Sequence, residues 1–151
     1  MQTVEISKKN LLHNLRQFRK RVGKRIKIMA VVKANAYGHG ILEVSKIASR
    51  SGADWLGVAS LEEGLFLRQQ NLNLPILVLG YIPLSGIEEA VRNDLSFLVY
   101  NLQTIKQAEI KAKKVKRKAK VHIKVETGTN RQGVAVSDLS HFAKLDRKSV
   151  V

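Results

Sequence analysis

The chain has 151 residues, 44% of them hydrophobic, enough for one globular domain with its own core. Lys and Arg number 27 against 12 Asp and Glu, a formal +15, which raises nucleic acid or an anionic membrane surface as partners. The absence of cysteine excludes disulfides and thiolate chemistry, and no segment approaches the ~20 apolar residues of a membrane-spanning helix.

In chain order, Met1-Gln2-Thr3-Val4-Glu5-Ile6 lacks the basic region and apolar core of a signal peptide, so a cytoplasmic location is expected. Ser7 is placed to cap a helix carrying Leu11, Leu12, Leu15, Phe18 and Val22 at helical spacing, which Gly23 ends. Ile28 to Val32 is a continuous apolar run, as expected of a strand buried on both faces of a parallel sheet. A helix over about 41–51 follows, then a strand at Trp55–Val58. Ser60 and Glu63 form the S-x-x-E pattern of a capping box, opening a helix through Leu61, Leu65, Phe66 and Leu67. Further strands are predicted at 75–79, 95–99 and 121–125, with a weakly signalled helix near 86–91 and a Lys-rich one over 102–117.

Strands alternating with helical stretches imply βαβ units and a parallel sheet. Two α/β architectures fit. One is an open doubly wound sheet; the other is part of a (β/α)8 barrel, about its first five βα units out of the eight that a complete barrel of ~250 residues needs. No G-x-G-x-x-G or Walker loop follows the first strand. The basic cluster Lys111, Lys113, Lys114, Lys116, Arg117, Lys118 and Lys120 holds no aromatic residue to stack on a base and reads as a solvated face. Neither a nucleic-acid nor a membrane partner is therefore expected. A basic nucleic-acid-binding α/β module is the alternative from a different class, and it rests on charge alone.

The segment with the most chemistry is Val31-Val32-Lys33-Ala34-Asn35-Ala36-Tyr37-Gly38-His39-Gly40. Lys33 ends an apolar strand, and in parallel α/β folds the C-terminal strand ends face the ligand. An amine stripped there of part of its water becomes a usable nucleophile or base, although a lysine snorkelling from a strand end would occupy the same position. His13, His39, His122 and His141 show no paired ligand spacing, so no metal is expected. His39 is read as structural, and His122 as packing from its strand.

The string AVVKANAYGHG, residues 30–40, resembles the pyridoxal-phosphate attachment motif of alanine racemases without interruption. Two further segments are similar to that family in the same order: Gly52-Ala53-Asp54-Trp55-Leu56-Gly57-Val58-Ala59 with Glu62-Glu63-Gly64, and His122-Ile123-Lys124-Val125-Glu126-Thr127-Gly128-Thr129-Asn130-Arg131-Gln132-Gly133. Glu126, Thr129 and Gln132 depart from the Asp, Met and Leu common there. The resemblance implies a partial (β/α)8 TIM barrel and a racemase interconverting L-alanine and D-alanine for peptidoglycan synthesis. Pyridoxal 5'-phosphate would be its cofactor and a homodimer the full-length form. A racemase for serine or another amino acid is the alternative within the fold. Lys33 would be the Schiff-base lysine and the base on the D-enantiomer's face, and Tyr37 would bind the cofactor phosphate. Arg131 would reach the cofactor's phenolic oxygen and the substrate, and Lys124 would be carbamylated and hold Arg131. The second base, a tyrosine of the C-terminal β-domain in that family, has no counterpart in this sequence.

By the same resemblance, residues 1–145 form an incomplete N-terminal barrel domain, without the C-terminal β-domain and expected to be inactive alone. Residues 146–151, Asp-Arg-Lys-Ser-Val-Val, match the translation of a common sequencing adapter and are expected to be a non-native tail.

Overall fold

The computed structural model describes residues 5–149, with side chains followed to Lys144. Helix α1 (Lys8–Val22) opens on Ser7, whose Oγ accepts the Asn10 N–H at 3.2 Å. Then come β1 (Met29–Val31), a turn over Lys33–Tyr37, α2 (Ile41–Arg50), β2 (Trp55–Val58), α3 (Leu61–Gln69) and β3 (Ile76–Val78). A 3-10 turn (Leu84–Gly86) runs into α4 (Ile87–Arg92), followed by β4 (Ser96–Val99), α5 (Leu102–Val115) and β5 (Lys120–Ile123). A second 3-10 turn (Val136–Asp138) leads into α6 (Leu139–Ser149), a helix the apolar spacing did not announce. The backbone of 146–149 continues α6, while the side chains of the expected tail and residues 150–151 lie outside the described residues.

The strands pair in parallel in the order β1-β2-β3-β4-β5. A doubly wound sheet reverses direction at a switch point; here every crossover advances the sheet the same way, as a barrel requires. The sheet is also curved. Trp55 of β2 and His122 of β5 meet edge to face with ring centroids 5.6 Å apart. Three strand spacings on a flat sheet would separate their backbones by about 14 Å, with the side chains standing parallel. The architecture is α/β, a partial (β/α)8 barrel.

The core lies on the convex side, between sheet and helices. Leu56, Val58, Ile76, Val78, Phe97 and Val99 are fully buried there against Leu67, Ile87, Ala90, Ile105 and Ala108. The expectation that the first strand is buried on both faces does not hold. Met29 and Ala30 are half-buried and Val31 is 49% exposed. β1 has a neighbour only in β2 among the described residues, and its concave side faces an open arc.

Two charged side chains tie the opposite end of the sheet. Asp54 accepts from Arg19, from Lys27 at 3.1 Å and from the Ile28 N–H at 2.8 Å, joining α1 to the entrances of β1 and β2. Arg68 donates to the carbonyls of Leu72, Leu74, Asn93 and Asp94, joining the loops before β3 and β4. The basic cluster is partly neutralised: Lys111 and Lys114 meet Glu88, Lys113 meets Glu109 and Lys120 meets Asp94.

Candidate active site at the strand ends

The β1 ladder continues through the Val32 N–H, which donates to the Gly57 carbonyl at 2.8 Å, and then breaks at Val32 with φ −114° and ψ 12°. Ala34, Asn35, Ala36 and Tyr37 follow with φ of 50°, 54°, 50° and 52°. This is a left-handed turn built without glycine, and at ~1–2 kcal/mol per L-residue it is costly. Local bonds offset the strain. Ala36 N–H donates to Val32 O at 2.9 Å, and Gly38 and Gly40 N–H both reach Asn35 O, at 3.1 and 3.0 Å. Asn35 Oδ1 accepts the Ile41 N–H at 2.9 Å, capping α2, whose own N-cap is Gly40. His39 closes on Ala36 O with both its backbone N–H and its ring Nδ1. Lys33 is half-buried, with Nζ 6.0 Å from the centroid of the 70% exposed Tyr37 ring. The turn therefore unites two of the sequence-predicted site residues.

Glu63 supplies a contact that sequence reasoning missed. Half of the capping box forms: Ser60 Oγ accepts the Glu63 N–H at 3.4 Å. The Glu63 carboxylate does not return to Ser60. Its two oxygens accept the Ala34 and Ala59 N–H groups, each at 2.7 Å, bridging the loops after β1 and β2. The S-x-x-E pattern was the available signal, but it names the wrong N–H donor for the carboxylate, that of Ser60 in place of Ala34 and Ala59. The next loop closes backbone to backbone. Gly80 N–H donates to Ala59 O at 3.0 Å, and a Cβ at Gly80 would collide with that oxygen.

At the far end of the arc, Lys124 N–H donates to Val99 O at 2.9 Å, extending the ladder past β5. Val134 N–H reaches Lys124 O at 2.8 Å and Glu126 N–H reaches Val134 O at 2.9 Å, which pinches residues 126–133 into a loop. Inside it the Glu126 carboxylate accepts the Gly128 N–H at 2.6 Å. The amides of Asn130 and Gly128, foremost, pull its pKa from 4.5 down to about 2. Arg131 stands exposed on this loop, and no acidic partner pairs with it among the described residues. Half-buried Lys124 places Nζ 3.4 Å from Gln132 Oε1. Lys124 thus meets Gln132, and no hydrogen bond joins it to Arg131 among the described residues.

All four candidates sit at the C-terminal end of the sheet, Lys33 and Tyr37 after β1, Lys124 and Arg131 after β5. Among the described residues no three His, Cys, Asp or Glu side chains are grouped to hold a metal ion. Three of the four suit a phosphorylated aldehyde: the Lys33 amine as the nucleophile to condense with it, and the Tyr37 phenol and Arg131 guanidinium as donors to its anionic oxygens.

Comparison with known proteins agrees with the fold and identifies a family. The family model described as "Alanine racemase, N-terminal domain" matches residues 6–149. Alanine racemase 2 of Caldanaerobacter subterraneus is 43% identical over 137 residues, 91% of this chain and 35% of the relative. Among solved structures, alanine racemase of Clostridium difficile 630 aligns with a TM-score of 0.87 at 37% identity, over 92% of this chain and 37% of that one. The alanine racemase from E. faecalis aligns with a TM-score of 0.90 at 29% identity, over 95% and 39%. The chain spans about a third of the length of the curated relatives it matches. It belongs to the alanine racemase family, of which it carries N-terminal domain sequence.

Proposed function

We propose that this chain is the cofactor-holding part of a pyridoxal-phosphate-dependent alanine racemase, which interconverts L-alanine and D-alanine in the cytoplasm for peptidoglycan synthesis. The observation that carries the reading is Lys33: an amine at the C-terminal end of the first barrel strand, within the uninterrupted motif and beside the Tyr37 ring. Lys33 holds the cofactor covalently. Tyr37 binds its phosphate, and Arg131 binds its phenolic oxygen and the substrate carboxylate. When bound, the cofactor's ring system withdraws electrons from the substrate's Cα–H bond. Lys33 Nζ would take or return the Cα proton on the D-enantiomer's face. A carbamate on Lys124 would exchange a cation for an anion able to pair with the Arg131 fork, and the Gln132 amide can donate to that anion as readily as its oxygen accepts from the ammonium.

Racemisation needs a base on each face of Cα, and the second face belongs to a part of the enzyme outside this sequence, working in a homodimer. The chain alone is therefore expected to exchange protons without inverting the carbon. Incubated with pyridoxal phosphate in D2O, it should place deuterium at Cα of D-alanine faster than of L-alanine or D-serine, and Lys33→Ala should abolish this. Preferred exchange of D-serine would replace alanine as the substrate, and exchange surviving in Lys33→Ala would refute the role of Lys33.

A further inference from the structure

We propose that Glu63 is a positioning residue for Lys33: by accepting the Ala34 and Ala59 N–H groups together, its carboxylate locks the left-handed turn that fixes where Lys33 sits. The proposal rests on the reading of Lys33 as the cofactor lysine. Ala34 is the residue after Lys33 and the first of four left-handed L-residues. The backbone at Lys33 therefore depends on what holds Ala34 in a conformation that alanine disfavours.

The acceptor that holds it comes from another segment. Glu63 lies in the first turn of α3, and its oxygens stand 2.7 Å from Ala34 N and 2.7 Å from Ala59 N. Water could satisfy either amide singly. The carboxylate gives each amide its own oxygen and carries no proton to oppose either, tying both to one side chain. Through Ala59, whose carbonyl takes the Gly80 N–H at 3.0 Å, the tie extends to the loop after β3. Glu63 thus links the turn carrying Lys33 to the two neighbouring strand ends. Glutamine keeps the shape but presents an NH2 to one of the two amides; aspartate is one methylene too short to reach both.

The test compares Glu63→Gln, Glu63→Asp and Ser60→Ala with the parent chain. Ser60→Ala removes the cap of the same helix and makes no contact with Ala34. Two readouts are taken: amide hydrogen exchange at Ala34 and Ala59, and the fraction of Lys33 labelled by pyridoxal phosphate after borohydride reduction. Both Glu63 variants should speed Ala34 exchange and lower Lys33 labelling by about tenfold, the weight of one charge-assisted hydrogen bond. Ser60→Ala should lower the melting temperature while leaving labelling intact. Adding Ala34→Gly to Glu63→Gln should recover labelling, because glycine adopts positive φ without strain.

Unchanged Ala34 exchange in Glu63→Gln, equal loss of labelling in Ser60→Ala, or no recovery with Ala34→Gly would each overturn the proposal. If the parent chain itself is labelled elsewhere than Lys33, the cofactor reading fails. The exchange data then judge the role of Glu63 in the turn independently.

Discussion

Asp54 gathers three donors from two segments, the Ile28 N–H, Arg19 and Lys27, and together they lower its pKa from 3.8 to about 2. A carboxyl more acidic in the folded chain than in the unfolded one stabilises the fold above its unfolded pKa, and that contribution disappears as pH falls toward the folded value. Denaturant unfolding from pH 5 to pH 2 should therefore show stability falling through roughly pH 4 to 2. Asp54→Asn should be less stable at neutral pH, with a shallower acid dependence. An acid slope identical to that of the parent would contradict the account. At this scale two contiguous strings made the candidates legible as candidates, Lys33 and Tyr37 in 30–40 and Lys124 and Arg131 in 122–133. The left-handed turn was not legible: Ala-Asn-Ala-Tyr offers no glycine to announce positive φ. Nor was the bridge from Glu63 to Ala34, since it joins segments that only the folded sheet brings together.

Elements were easier to read than their ends. Trp55–Val58 was placed as observed, whereas the long Lys-rich helix stops at Val115 because Lys116 turns left-handed at φ 54°. Helix α6 escaped notice because it is polar on most sides, and Phe142 is its one buried anchor among the residues described. The packing that holds strands to helices makes two stability predictions. Phe97, fully buried in β4, should cost ~3–5 kcal/mol on change to alanine. Arg68→Lys should cost on the order of 2 kcal/mol although the charge is kept, since a single ammonium cannot serve four carbonyls as the guanidinium fork does. Urea unfolding measures both, and a Lys variant as stable as the parent would show that the fork is dispensable.

For the whole molecule, alternation of strands and helices left an open sheet and a barrel equally possible. Strand order and the Trp55–His122 contact decide for the barrel, through long-range pairings that periodicity does not encode. The arc ends in strands β1 and β5, each paired on one side among the described residues, with Val31 exposed on β1 and Phe18 and Ile26 exposed before it. Unpaired apolar edges favour edge-to-edge association. Sedimentation should show concentration-dependent self-association of this chain that Val31→Lys reduces, and a parent chain monomeric at all concentrations would contradict this. The central claim concerns one amine among many. Treating the chain with pyridoxal phosphate, reducing with borohydride and mapping the labelled peptides tests it most directly. The account predicts a single dominant adduct on Lys33, absent in Lys33→Ala; labels scattered over the surface lysines, with Lys33 no more reactive than the rest, would contradict it.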